Sequence, residues 1–374
     1  MKIKICSLLL IAIVSQGFAQ TEIKQLLKKG NEALYKNPDK AIEIGEKILS
    51  TTNVNLEDKI DALLLITTSY SSKRNYVKSL KYAVQAAQLL PKIDNDEFKI
   101  IIYSRLGVQY QQLKIYDKAH SYLDKAIQIA NNSKQKINRD KLLGFNYGIR
   151  GLVYKEQMSC ELAQNYFNKS LVHYQKALKE SIMNANISVI TYNKGNCFIA
   201  MNQMDSAKIC FENAYRSADK VKANSLKAFA NKGLAEVYTL EGHYENAITL
   251  LLQAQDMSKN VGDLILNQSI YKALADNYLV TNNLENHQSY AKSYDEITET
   301  IKSNESKTLN QFLIQIDNDK ARELEQIKST DLYYKIPLIL LILAMIVLLY
   351  FENVRYSKKY KQLQLEREAL EKQT

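Results

Sequence analysis

The chain has no tryptophan, and only 3 prolines and 11 glycines in 374 residues. So few turn-formers exclude a sandwich or barrel, whose many hairpins need glycine and proline at short intervals. Four histidines, His120, His173, His243 and His287, are scattered, with no carboxylate beside them at ligand spacing. G-x4-GK, GxGxxG, HExxH, GxSxG and CxxC are all absent, so phosphate cradles, zinc sites and nucleophile elbows lack their usual signs. No enzymatic activity, metal or cofactor is expected. The net charge of +10 comes without any basic run longer than two residues. That excludes the clustered stripe of a nucleic-acid surface and leaves solvated helix faces. Beyond Cys6, the chain carries Cys160, Cys197 and Cys210. An odd count argues against a disulfide framework. Cys197 and Cys210 fall on neighbouring antiparallel helices, so either a bridge between them or small buried thiols fits.

What is abundant is Leu, Ile, Ala and Lys, with 25 tyrosines supplying the large side chains. This is an all-α composition.

Residues 1–19 have the three parts of a secretory signal. Lys2 and Lys4 form the charged start, Ile5 to Val14 the apolar centre, and Gly17-Phe18-Ala19 a small-x-small cleavage site. The mature chain is expected to begin at Gln20, outside the cytoplasm. A second apolar stretch, Ile336 to Phe351, has no charge. Extended back to Leu332, it matches the ~30 Å of a bilayer core as a helix. Tyr333, Tyr334 and Tyr350 stand where interfacial aromatics belong, and Pro337 is placed in the first turn of that helix. Arg355, Lys358, Lys359 and Lys361 follow, so the C-terminus is expected in the cytoplasm. The implied order is signal peptide 1–19, helical array 21–302, helical stalk 303–331, membrane helix 332–351 and a short cytoplasmic helix 352–374. Leu309, Leu313, Ile316, Ile327 and Tyr334 give the stalk a broken heptad, through which two copies could pair.

The array shows a repeated frame. Tyr103, Leu106, Gly107 and Tyr110 are followed by Ala119. The frame returns at Tyr147, Arg150, Gly151, Tyr154, Ala163 and Phe167, and again at Lys194, Gly195, Phe198, Ala207, Phe211 and Ala214. Two aromatics and a small residue on one face let a second helix approach closely. The alanine marks the tightest contact of that partner, and Phe167 or Phe211 fills the gap one turn on. The small positions are Thr67, Gly107, Gly151, Gly195, Ala235 and Ala275, in steps of 40 or 44 residues. The partner positions are Ser79, Ala119, Ala163, Ala207, Ala247 and His287, the last marking a degenerate terminal unit. An earlier, shortened pair runs from Ile23 to Leu49, broken at Asn37-Pro38 with Asp39 as its expected cap. The count is about seven helix pairs.

This frame resembles the tetratricopeptide repeat, W-x2-L-G-x2-Y followed by A-x3-F. The resemblance implies a TPR-type helix-pair solenoid that binds a protein or peptide in a groove lined by first helices. The residues expected to face that groove are Lys155, Tyr192, Asn196, Lys232, Glu236, Lys272 and Asp276. The arrangement as a whole resembles membrane regulators of Bacteroidetes. In these, an exported repeat array is followed by one membrane helix and then a histidine kinase or helix-turn-helix domain. Two functions follow: an interaction module held at the membrane, or the sensor portion of a regulator whose output domain lies elsewhere.

Overall fold

The structure is a computed structural model that describes residues 20–34, 37–177, 183–259 and 263–371. The expected signal peptide, residues 1–19, lies outside the described residues. Among these the structure is helical, with no strand. The chain divides into two units, Met1–Thr308 and Leu309–Thr374.

In the first unit, residues 20–33 (α1) pair with Pro38–Ser50 (α2). Then come Leu56–Ser72 (α3) with Tyr76–Ala87 (α4), Asp96–Gln112 (α5) with Tyr116–Asn132 (α6), and Arg139–Glu156 (α7) with Cys160–Lys176 (α8). Met183–Ala200 (α9) pairs with Met204–Lys220 (α10), and Asn224–Leu240 (α11) with Tyr244–Ser258 (α12). Leu264–Val280 (α13) pairs with the start of Leu284–Glu371 (α14). Each helix packs on the next, and first helices also touch the first helices of neighbouring pairs. This is the TPR-type solenoid that the repeated frame predicts.

The turns inside the pairs are nearly identical, for a backbone reason. In the six from α3–α4 to α13–α14, the middle residue has positive φ: Arg74, Lys114, Met158, Asn202, Gly242 and Asn282. The following amide then reaches back to the carbonyl five residues earlier, as in Ile115 to Tyr110 at 2.8 Å and Ser159 to Tyr154 at 2.9 Å. That closes the helix C-terminus with a Schellman-type bond. The carbonyls used belong to Tyr70, Tyr110, Tyr154, Phe198, Tyr238 and Tyr278, so the second aromatic of each frame sits at the same point before its turn. The extra length of the 44-residue steps lies between pairs. α6 ends at Asn132 and α7 begins at Arg139, whereas α10 ends at Lys220 and α11 begins at Asn224.

Close approach is what the small residues provide. A Cβ built on Gly151 would stand 2.5 Å from the Phe167 ring, and one on Gly195 2.7 Å from Phe211. Phe211 also meets Gly233 of α11, where a Cβ would come within 2.4 Å of the ring. One buried phenylalanine therefore joins three helices. Ala119, Ala163, Ala207 and Ala247 are fully buried, as the frame requires. The two exceptions are bonded to the carbonyl of the facing small position: Ser79 Oγ to Thr67 O at 2.6 Å, and His287 Nδ1 to Ala275 O at 2.9 Å. The second and the last pairs are thus held by a hydrogen bond where the four between them use an alanine.

Two local expectations need correction. The cap of α2 is Asn37, whose side chain accepts from the Lys40 amide at 3.1 Å; Asp39 sits in the first turn. Asparagine before proline has the free oxygen, and Pro38 at the first helical position has no amide to satisfy. Pro337 is inside a helix and not in a first turn, because α14 already extends from Leu284. Its missing N–H leaves the carbonyl four residues earlier without that donor.

Arg74 Nη2 lies 3.9 Å from Asp263 Oδ1, which brings the turn of the second pair to the residue that caps α13. In the second unit the chain is helical to Glu371. One described segment, Lys335–Leu365, is long and apolar enough to cross a membrane by length and composition. Among its described side chains the leucines and isoleucines are exposed, with Leu348 and Leu349 each at 65%.

Candidate functional site

Consecutive first helices are joined by side-chain hydrogen bonds. Ser71 Oγ donates to Gln112 Oε1 at 2.9 Å, Ser104 Oγ to Asn146 Oδ1 at 2.9 Å, and Gln111 Nε2 to Glu156 Oε1 at 2.6 Å. Thr239 Oγ1 donates to Asn277 Oδ1 at 3.0 Å. Between α7 and α9 the link is charged: Lys155 Nζ donates to Asn193 Oδ1 at 2.6 Å. Asn193 in turn donates to the Val189 carbonyl at 2.8 Å, which fixes the amide with its oxygen toward the lysine.

Lys155 makes no ion pair among the described residues. It stands on the wall of a cleft of about 520 Å³, with Met158, Cys160, Glu161, Asn196 and Met201 also lining it. The elements that form this cleft are the end of α7, the turn to α8, and the end of α9. Burial pushes the Lys155 pKa below the usual lysine value, and the Lys232 ammonium adds to the effect; Cys197, Glu156 and Cys160 oppose it. An ammonium with only an amide acceptor is an electrostatic vacancy for an anionic or strongly accepting group.

Lys232 is different. It pairs with Glu236 at 2.7 Å along α11. Burial works against its charge, but Tyr192 and Glu236 outweigh this and hold its pKa above the ordinary value. Tyr192 of α9 is a packing residue along most of its ring, 5.6 Å from Phe211 and 5.5 Å from Phe229 between centroids. Lys155, Tyr192, Asn196, Lys232 and Glu236 therefore occupy three successive first helices, α7, α9 and α11. Lys272 and Asp276 lie on α13, bonded to each other at 2.6 Å, and both are 57% exposed. Their pairing explains them without a ligand.

Asn193, Cys160 and Cys197 are missing from the residues the sequence points to. A signal for the first exists. Asparagine is a poor helix former because its side chain competes with the backbone. Asn146, Asn193, Asn231 and Asn277 nevertheless all stand inside first helices, and all are buried. Of the thiols, Cys197 does not turn to Cys210. It is buried in the hydrophobic cluster around Phe167 and Tyr174, against which Cys160 also packs and which does not include Cys210. All three are free.

Fold and cleft together define a helix-pair solenoid of the tetratricopeptide type with a polar inner seam. Residues 190–220, most of α9 and all of α10, match the tetratricopeptide repeat family model. No curated protein matches the chain. Among solved structures, one similar chain is a STAND (signal transduction ATPase with numerous domains) protein with a tetratricopeptide repeat sensor from Pyrococcus horikoshii. It has a TM-score of 0.57 and 19% identity, over 77% of this chain and 42% of that one. NprR in complex with its cognate peptide NprX has a TM-score of 0.55 and 14% identity, over 83% of this chain and 94% of that one. The Rap conjugation gene regulator of plasmid pLS20, in complex with the Phr* peptide, has a TM-score of 0.53 and 15% identity, over 74% and 84%. At these identities the likeness is one of fold.

Proposed function

We propose that this protein is a membrane-anchored, periplasm-facing repeat protein that holds an extended peptide or the tail of another protein along its first helices. The observation that carries this is Lys155, a half-buried ammonium bonded to an amide and to no described carboxylate, at the mouth of a roomy cleft. Asn196, on the same wall, has an amide able to bond a peptide backbone. Two of the similar folds, NprR and the Rap regulator, are seen with peptides bound, which favours the same class of ligand here. In this reading Lys155, Asn196 and Lys232 contact the ligand, Glu236 orients Lys232, and Tyr192 holds α9 and α11 in register. Lys272 and Asp276 extend the surface on α13.

The anchoring part of the reading rests on the apolar, outward-facing segment that follows Lys335. The span is 332–351, the stalk 303–331 and the cytoplasmic tail 352–374. The leader at 1–19 and the basic residues after Phe351 set the orientation, with the repeats outside and the tail inside. Stalk and tail are where two copies would pair.

A second reading is the sensor portion of a regulator whose output domain lies elsewhere. It is favoured by one of the similar folds, a STAND protein with a tetratricopeptide repeat sensor.

The binding reading is tested by panning the full-length chain in detergent against a random-peptide display library. Enriched peptides are expected to lose about tenfold in affinity on Lys155→Ala, the size of one charge-assisted hydrogen bond. Peptides that bind Lys155→Ala and Asn196→Ala as tightly as the unsubstituted protein would place the ligand elsewhere.

A further inference from the structure

We propose that the cleft where α10, α11 and α12 meet binds a small planar molecule bearing a primary carboxamide. The cleft holds about 320 Å³ and is lined by Phe211, Tyr215 and Arg216 of α10, Asn231 and Leu234 of α11, and Gln253 of α12. It shares no residue with the groove along the first helices.

Asn231 is the informative residue. Three other buried asparagines of first helices, Asn146, Asn193 and Asn277, each donate to the carbonyl four residues earlier at 2.8 Å. Each of their side-chain oxygens accepts from the neighbouring first helix: from Ser104 at 2.9 Å, Lys155 at 2.6 Å and Thr239 at 3.0 Å. Asn231 does neither. It is only 6% exposed, and its Nδ2 crosses to α12, donating to Gln253 Oε1 at 3.2 Å. Its oxygen accepts nothing from the described residues and is not sealed in the core, so it opens into the cleft. Gln253 is exposed, and its Nε2 donates to no described residue.

Two amides joined by one hydrogen bond thus present one acceptor and one donor. A primary carboxamide is their complement: its NH2 donates to Asn231 Oδ1, and its oxygen accepts from Gln253 Nε2. Turning both amides over exchanges the roles and leaves the same complement. A carboxylate brings no donor to Asn231 and meets Glu212 at the rim; a hydrocarbon leaves both amides unpaired. The remaining lining suits a ring. Ala230, with Phe211 and Leu234 beside it, makes an apolar floor. Lys227 Nζ lies 5.9 Å from the Tyr215 ring centroid and pairs with Asp219 at 3.2 Å, which steadies that wall. Arg216 and Glu212 form a loose pair at 3.8 Å, each more than half exposed, so the guanidinium can lie over a bound ring. Small-molecule sites begin near about 300 Å³ and combine such an apolar lining with a few placed polar groups.

The test is equilibrium dialysis of radiolabelled benzamide against the full-length protein in detergent. Asn231→Leu serves as the blank, since benzamide partitions into detergent equally with either protein. Benzamide is expected to saturate one site on the unsubstituted chain. Acetophenone, which has a methyl group in place of the NH2, should compete about tenfold or more weakly, and benzoate not at all. Gln253→Ala, at an exposed position that does not threaten folding, should weaken benzamide about tenfold. Lys155→Ala should leave benzamide binding unchanged, so this test and that of the groove fail separately. No uptake above the blank, full affinity in Gln253→Ala, or acetophenone competing as well as benzamide would each overturn the proposal.

Discussion

Replacing Gly233 with alanine should change the sign of its effect according to what stands at position 211. In the native packing a Cβ at Gly233 would fall 2.4 Å from the Phe211 ring, and one at Gly195 would fall 2.7 Å from the same ring atom. The ring is fully buried and has Tyr192 against it as well, so it has nowhere to retreat. Forcing a methyl into such a site costs about 1–3 kcal/mol. Alanine in a helix interior gains about 1 kcal/mol over glycine. The overpacking term is the larger or at least equal, so Gly233→Ala should be neutral to destabilising by about 2 kcal/mol. Phe211→Ala alone should lose about 3–5 kcal/mol through the cavity it leaves. With the ring gone, only the helix term of Gly233→Ala remains, and the same substitution should stabilise by up to about 1 kcal/mol. Hydrogen exchange on peptides from α9 to α11 is the suitable assay, because repeat arrays need not unfold as one unit. If Gly233→Ala destabilises equally with and without Phe211, the ring is not what demands a glycine there.

Three further outcomes are expected. Met158 is 92% exposed with φ +61°, so Met158→Gly should stabilise the α7–α8 turn by about 1 kcal/mol; an unchanged melting temperature would show that the left-handed turn is unstrained. Lys155 has a folded-state pKa below its unfolded value, so its protonated form opposes folding. Stability should therefore rise with pH between the depressed value and 10.5, and Lys155→Met should remove that slope in denaturation curves taken across this range. Arg74→Ala should cost under about 1 kcal/mol, since its pair with Asp263 is partly solvated, yet it should lengthen the distance between spin labels at Lys78 and Lys259. An unchanged distance would mean that the pair follows the curvature of the array without maintaining it.

The repeated frame was legible because it is local. Positions three, four and twelve residues apart on antiparallel helices are set by helical geometry, so Gly151 against Phe167 and Gly195 against Phe211 could be read from spacing. The second role of Phe211, against Gly233, could not, since it depends on how one pair settles on the next. The candidate site was legible to the same degree. Lys232 with Glu236 and Lys272 with Asp276 are neighbours along one helix and needed no fold to pair them. Lys155 with Asn193 required two helices from different repeats, and no short-range pattern encodes that contact. Cys197 shows the limit most plainly. Sequence offers Cys210 on the antiparallel partner, but Cys197 is buried in the cluster around Phe167 and Tyr174, of which Cys210 is not a member.

Sequence by itself determined the all-helical class, the pair length, the small residues at each crossing and the apolar segment after Lys335. All four follow from helix periodicity and composition, which act over a few turns of one chain. Only the tertiary structure decided which lysine bonds an amide and no described carboxylate, that Cys160 and Cys197 share one hydrophobic cluster, and that Arg74 reaches Asp263. Those contacts cross from one helix pair to another, and each is fixed by the small rotation between successive pairs. A rotation of that kind is summed over many packed side chains, and no single stretch of residues holds it.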